Sequence, residues 1–329
     1  MIEFYKTYVQ EIQTSQGKSV RYNTKKIDKC EPGCWVSVVM PGPEDRRWLQ
    51  DEMNIEPEFV RSSLDDEETS HIDYDDDTGQ VLVIVDCPFV EDDTEAVDPS
   101  IVQYDTHPLS LIFLPDQDVL VTVSLKQSDT VNAFAQGKVR NLNTKQSTRV
   151  LLQMLLHISQ RYLVCLRSIN RQFRENERVL RKTMRNEELN KMLGFEKSLV
   201  YFSTSLKSTE ATLHKIGYGR ILTLYEDDRD LLDDVSIEMS QAIEMCSIYS
   251  SVLNGTMDAF GNIINNNMNV TMKTLAILTL ALSIPNMVYG FYGMNTPLPI
   301  DDTWIFAFAL SVIATVFATI LLMRGRILR

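Results

Sequence analysis

Asp258, Asn262, Asn265, Asn269, Met272, Thr279, Ser283, Asn286 and Gly290 recur three, four or seven residues apart. That spacing places them on one face of a helix. Apart from Met272 and Gly290, their groups are amides, hydroxyls and one carboxylate, which in hydrocarbon must face protein or water. The stripe would run for about 50 Å at the helical rise. From Asp230 to Met272 there is no Lys or Arg, while Asp230, Asp233, Asp234, Glu238, Glu244 and Asp258 are present. Repeated around a symmetric axis, this pattern favours cations and disfavours anions. For Glu238 and Glu244 a solvated helix face is the simpler reading.

Other chemistries are poorly represented. No Ser/His/Asp set, P-loop or dinucleotide fingerprint occurs, so an enzyme is not expected. The formal charge of −13 over 329 residues argues against nucleic acid as a partner, because phosphates require a basic face. Five cysteines, Cys30, Cys34, Cys87, Cys165 and Cys246, make an odd number, and "MIEFYKTYVQEIQ" has no basic-then-apolar signal pattern. A secreted disulfide framework is therefore not expected. Cys30 and Cys34 lie close together in "CEPGC", but zinc needs a second pair or histidines. The segment reads as a turn leading into a strand.

The elements that position the stripe begin with two uncharged runs. Thr274 to Tyr292 and Trp304 to Met323 carry no charge, and each can span roughly 30 Å of hydrocarbon. Trp304, Tyr289 and Tyr292 sit toward one shared end, as interfacial aromatics do. The chain is thus expected to end in a membrane hairpin, 273–292 and 304–323, with 293–303 as its connecting loop. That loop has no Lys or Arg, whereas the tail 324–329 holds Arg324, Arg326 and Arg329, and Lys273 precedes the first span. The positive-inside rule then puts both termini in the cytoplasm and the loop outside. One hairpin cannot enclose a hole. Several copies with the stripe inward would line a pore, while a single packed pair would use it as polar glue. The stripe's length favours the water-filled axis.

Residues 1–145 read as mixed α/β. "WVSVV", "VLVIV", "LSLIFL" and "VLVTV" are short β-branched runs bounded by Gly, Pro or Asp. "PEDRRWLQDEMN" and "EPEFVRSSL" are helical, each with a proline near its start. Their uneven alternation predicts a mixed sheet covered by helices. From 146 to 272 Gly and Pro become scarce and helical periodicity takes over. Helices are expected over "LLQMLLHISQRYLVCLRSINRQFRENERVL" and "NEELNKMLGFEKSLVYFSTSLKSTEATLHKI". A third starts near Glu226 and shows no firm stop before Pro285. A helix of about 60 residues cannot bury itself in one small domain, so it must pack along partners and run on into the membrane.

"YGMN", Tyr292 to Asn295, follows this span and precedes one more span and a basic tail. The constellation resembles the CorA family of divalent-cation channels. "NVTMKTLAILTLALSIPNMVYGFYGMN" is similar throughout, and "WVSVVMPGPEDRRWLQDEMNIEPEFV" resembles the family's N-terminal pattern, so the likeness covers nearly the whole chain. It implies a funnel-shaped homopentamer with an α/β cytoplasmic domain, a helical stalk and two transmembrane helices in a cell membrane. Gly293, Met294 and Asn295 would receive a hydrated ion. Asn269 matches a polar ring, Met272 and Leu275 a hydrophobic constriction, and Asp258 a pore acid.

The same resemblance implies transport of Mg2+, with Co2+ and Ni2+ beside it, and regulation by Mg2+ bound between subunits at Asp234. Arg61 and Ser62 stand where the family often has an acidic pair, so Asp65, Asp66 or Glu67 of the following "LDDEETSHIDYDDD" would have to substitute. As a plain sequence that acidic run reads as a solvated loop. A second departure is the outer loop, where acids come only at Asp301 and Asp302. It leaves room for the family's zinc-transporting branch, with Zn2+ as the alternative ion and proton coupling as its mode. Against zinc, His71, His107, His157 and His214 all lie outside the spans. A membrane-anchored coiled-coil scaffold without a pore is the alternative of another class, and the polar stripe argues against it.

Overall fold

The computed structural model of the chain describes residues 1–14, 17–90, 103–183, 185–294 and 304–324. It divides into two compact units, Met1–Asn254 and Gly255–Arg329.

The first unit is built on a seven-stranded sheet: β1 (Ile2–Thr14), β2 (Gly17–Ile27), β3 (Cys34–Val39), β4 (His71–Tyr74), β5 (Val81–Val90), β6 (Tyr104–Leu114) and β7 (Val119–Ser124). The spatial order is β2-β1-β3-β7-β6-β5-β4. Only β3 and β7 pair in parallel; every other neighbour is antiparallel. The mixed sheet expected from the uneven alternation is what forms. Its central strands are buried on both faces, which is why they read as unbroken apolar runs rather than alternating ones.

Two helical layers cover the sheet. On one face α1 (Pro43–Asp51) and α2 (Pro57–Ser63) close a core of Val36, Val38, Leu49, Phe59, Val60, Leu82, Ile84, Ile112, Val121 and Val123. Each helix has proline in its first turn, where the missing N–H costs nothing. Asp45 accepts a 2.9 Å hydrogen bond from the Gly42 N–H and so closes the entry to α1. The other face meets α3 (Asp129–Ala135), α4 (Ser147–Thr183) and α5 (Asn186–Gly217). There Trp35, fully buried, stacks on Tyr5 at 5.0 Å, and its indole N–H donates to Thr122 Oγ1 at 2.9 Å. Tyr162 of α4 packs edge-on against Phe202 of α5 and donates to the Asp86 carbonyl.

The long helix α6 runs over Glu226–Tyr292, continuing through Pro285. Within the first unit it buries Val235, Met239, Ala242, Cys246 and Leu253, a stripe with steps of three, four and seven. The Cys246 thiol donates to the Leu199 carbonyl of α5. Its first turn, Glu226, Asp227 and Asp228, complements the positive end of the helix dipole. Asp228 is also buried against Arg149 of α4, at 3.0 Å.

The second unit contains the rest of α6 and α7 (Trp304–Arg324). By length and composition α6 is able to cross a membrane, and α7 is apolar over Trp304–Ile320.

Candidate functional site

Every stripe residue from Asp258 to Gly290 is exposed. Asp258, Asn265, Asn269, Met272, Leu275, Thr279, Ser283, Asn286 and Gly290 all lie on α6, in the order the sequence spacing anticipates. From Gly261 to Met272 no residue of any kind is covered. The half-buried positions of the following span are Lys273, Ile277, Ala281, Ile284, Pro285, Val288 and Tyr292, three or four apart except for the adjacent Ile284 and Pro285. They form a second face, roughly 150° around the helix from the stripe at about 100° per residue.

α7 meets α6 between these two faces, at Tyr289. The Tyr289 and Ser311 hydroxyls lie 3.2 Å apart, and Ala307 and Ser311 are buried. Ala307, Ser311, Thr315 and Thr319 repeat every four residues, so they form a rib of small side chains along one face of α7. The sequence reading overlooked this rib, although its four-residue spacing was visible. The stripe itself stays exposed from Asp258 to Gly290.

Two hydroxyls in the stripe have their protons committed. Thr279 donates to the Leu275 carbonyl at 2.9 Å and Ser283 to the Thr279 carbonyl at 2.8 Å. Each therefore presents only oxygen lone pairs outward. Met272 and Leu275, 61% and 55% exposed, interrupt this polar face with bulk apolar surface. Pro285 lacks an N–H, which frees the Ala281 carbonyl within the span.

At the end of α6 the Gly293 N–H donates to the Tyr289 carbonyl at 2.9 Å. A side chain at Gly293 would bring its Cβ to 3.2 Å from that same carbonyl, tighter than backbone normally tolerates. The last helical carbonyls have no intrahelical partner and form the negative end of the macrodipole. No basic residue stands in the last turn to neutralise them. Gly293 and Met294, both exposed, thus follow directly on a site that attracts positive charge. Asn295, Asp301 and Asp302 lie outside the described residues.

The residues assigned to regulation stay apart in one chain. Asp234 is exposed on α6, and Asp65, Asp66 and Glu67 are exposed in the turn after α2. Asp65 Oδ1 accepts the Glu67 N–H at 3.0 Å, and Arg61 pairs with Glu58 at 3.0 Å. Among the described residues no three carboxylate, imidazole or thiol groups converge to hold a metal. The acidic run itself is not wholly a loop: His71–Tyr74 forms edge strand β4, paired to β5. Its short length and the charges around it disguised it.

A family model described as CorA-like Mg2+ transporter protein matches residues 31–324, from the turn before β3 to the end of α7. The cobalt/magnesium transport protein CorA of Methanocaldococcus jannaschii is 25% identical over 300 residues, covering 87% of this chain and 89% of that protein. The complete structure of the CorA magnesium transporter from that organism superposes with a TM-score of 0.77 at 21% identity, covering 98% of this chain and 96% of its own. The ZntB cytoplasmic domain from Vibrio parahaemolyticus gives 0.56 at 14% identity, over 81% of this chain and 97% of that domain. At such identities the two structural likenesses speak for the fold. The family match extends through nearly all of the chain, stripe and α7 included, and the chain belongs to the CorA family of divalent-cation transporters.

Proposed function

We propose that the chain assembles as a homopentamer and conducts Mg2+ along an axis lined by the α6 stripe, with Gly293, Met294 and Asn295 at the outer mouth. The observation that carries this reading is the open polar face of α6, exposed along its whole length. A lone amphipathic helix with an uncovered stretch from 261 to 272 needs partners, and copies of itself supply them.

The chemistry follows from how Mg2+ holds water. The ion dehydrates reluctantly, and its shell waters turn their hydrogens outward. A path for the hydrated ion therefore needs acceptors, not donors. Thr279 and Ser283 meet that need because their own protons are spent on the helix. The carbonyl end of α6 supplies the same at the mouth, and Asn295 adds an amide oxygen. Met272 and Leu275 form the apolar constriction, which closes the path by shedding water. Asn269 and Asp258 hold the ion on the cytoplasmic side. Passage inward of a double charge down 100 mV releases about 4.6 kcal/mol, so no catalytic step is required. Mg2+ bound between copies, by Asp234 on one and Asp65, Asp66 or Glu67 on the next, would hold the closed state.

A second reading, Zn2+ transport on the same scaffold, draws support from the likeness in fold to the ZntB cytoplasmic domain. The positions of His71, His107, His157 and His214, all in the first unit, weigh against it. Purified protein in liposomes loaded with ion-selective dyes separates the two. Mg2+ entry driven by potential alone is expected. Zn2+ entry that requires a pH gradient, without Mg2+ flux, would replace the first reading by the second, and intact pentamers passing neither ion would overturn both.

A further inference from the structure

We propose that Cys30 and Cys34 form a reversible disulfide site in the first unit, independent of the transport reading. The two sulfurs lie 3.7 Å apart, and a disulfide requires them to close to about 2.05 Å. The turn between them is held from three sides. The Cys34 N–H donates to the Glu31 carbonyl at 3.0 Å, the Gly33 N–H to the Asp118 carbonyl at 2.7 Å, and Thr144 Oγ1 to the Gly33 carbonyl at 2.7 Å. Gly33 adopts φ +75°, a conformation that a side chain would resist. The sulfurs are thus presented to each other by a fixed turn.

The pair divides the labour that thiol–disulfide exchange needs. Cys30 is partly exposed and open to a small oxidant, while Cys34 is fully buried behind it. The hydrogen bond between the two pulls the Cys34 thiol down from its ordinary range, aided by a backbone contact at Glu31 and the Lys6 ammonium, while the same bond and burial push the Cys30 thiol up. The remaining cysteines contrast with this. Cys87, Cys165 and Cys246 are each buried apart from another thiol, and burial pushes all three up, Cys165 and Cys246 to about 11. Sensor thiols are accessible and stand beside a resolving partner, which describes Cys30 and Cys34 alone among the five.

The oxidant is a low-molecular-weight disulfide, RSSR. The Cys30 thiol releases its proton to solvent and the thiolate attacks one sulfur of RSSR; the S–S bond breaks and RS− leaves, taking up a proton as RSH. The Cys34 sulfur then attacks Cys30, the mixed disulfide breaks, and a second RS− leaves. Two electrons pass to the oxidant, and the two protons of the thiol pair end on two RSH. Excess RSH runs the sequence backward. The 3.7 Å separation also resembles the bite of two thiolates on tetrahedral zinc, about 3.8 Å for bonds near 2.3 Å, but no third donor converges there among the described residues.

The test uses the full chain in detergent, oxidised glutathione as RSSR, and mass spectrometry after alkylation in denaturant. The wild type should lose two alkylatable thiols, yield one peptide pair joined through Cys30 and Cys34, and recover both thiols with dithiothreitol. Cys34→Ser should stop at a glutathione adduct on Cys30, and Cys30→Ser should form no adduct. Five alkylatable thiols after oxidation of the wild type would overturn the proposal, as would an adduct on Cys34 in the Cys30→Ser variant. Stoichiometric protection of both thiols by Zn2+ alone, with no linked peptides on oxidation, would make the pair a metal clip instead.

Discussion

The two units of this chain solve opposite problems with similar residues. In Met1–Asn254 the large apolar side chains find partners in the same chain: Trp35, Phe134, Tyr162 and Phe202 are fully buried. In Gly255–Arg329 the equivalent side chains, Leu278, Leu282, Phe308, Ile313 and Phe317 among them, face outward. Contiguous exposed apolar surface of this kind marks contact with lipid or with another protein surface. The first unit is therefore stabilised by its own core, while the second is completed by surroundings the chain does not contain. Stability and transport should accordingly respond to different substitutions.

The largest effect separating the two is expected at the mouth. On the proposed axis Asn295→Ala removes an acceptor from each of five copies, and at about 1 kcal/mol per copy Mg2+ flux into liposomes should fall at least about a thousandfold. Thermal unfolding of the first unit, followed by near-ultraviolet circular dichroism, should not move. A shifted unfolding temperature together with unchanged flux would break the division of labour. Next in size is Trp35→Ala, which should cost the first unit about 3–5 kcal/mol through lost burial and a residual cavity. Chemical denaturation of the full chain measures this.

The smallest effect sharpens the comparison within the first unit itself. Asp86 is buried near Ser70, Ser205 and Ser208, and desolvation raises its carboxyl to about 6. The folded state thus holds the proton more tightly than the unfolded state, whose group titrates near 4. Stability from this group is present at low pH and is lost as pH rises from about 4 through about 6, on the order of 2 kcal/mol. Asp86→Asn should remove that slope and raise the neutral-pH unfolding midpoint. Identical pH profiles for the two proteins would show that solvent reaches the site.

Much of this was legible before the fold was known. The runs at Trp35, Val81, Leu109 and Val119 became strands β3, β5, β6 and β7, and the three long helices start close to where their periodicity begins. What was missed has a common cause. The hairpin of β1 and β2 mixes Lys, Glu and Gln with aromatic and β-branched residues, as an edge exposed to water permits, so no apolar run announces it. β4 is four residues inside an acidic stretch, and α3, seven residues, follows β7 too closely to show a period. Asp86 looks like any polar residue in a strand until α4 and α5 cover it.

The order of polar groups along α6, the missing basic residues from 230 to 272 and the Gly-Met-Asn triplet belong to sequence alone, because helical spacing converts position directly into face. Which face stays open was decided by tertiary structure. Spacing says that Asn269, Thr279 and Ser283 share a side, but not whether that side is covered. In the fold the whole stripe stays exposed, while α7 meets α6 at Tyr289 through Ser311. The same holds for Cys30 and Cys34: four residues of separation allow many distances, and the bonds from Asp118 and Thr144 settle on 3.7 Å. Local spacing is carried by the chain's own geometry, whereas coverage and closeness depend on contacts between residues far apart in sequence.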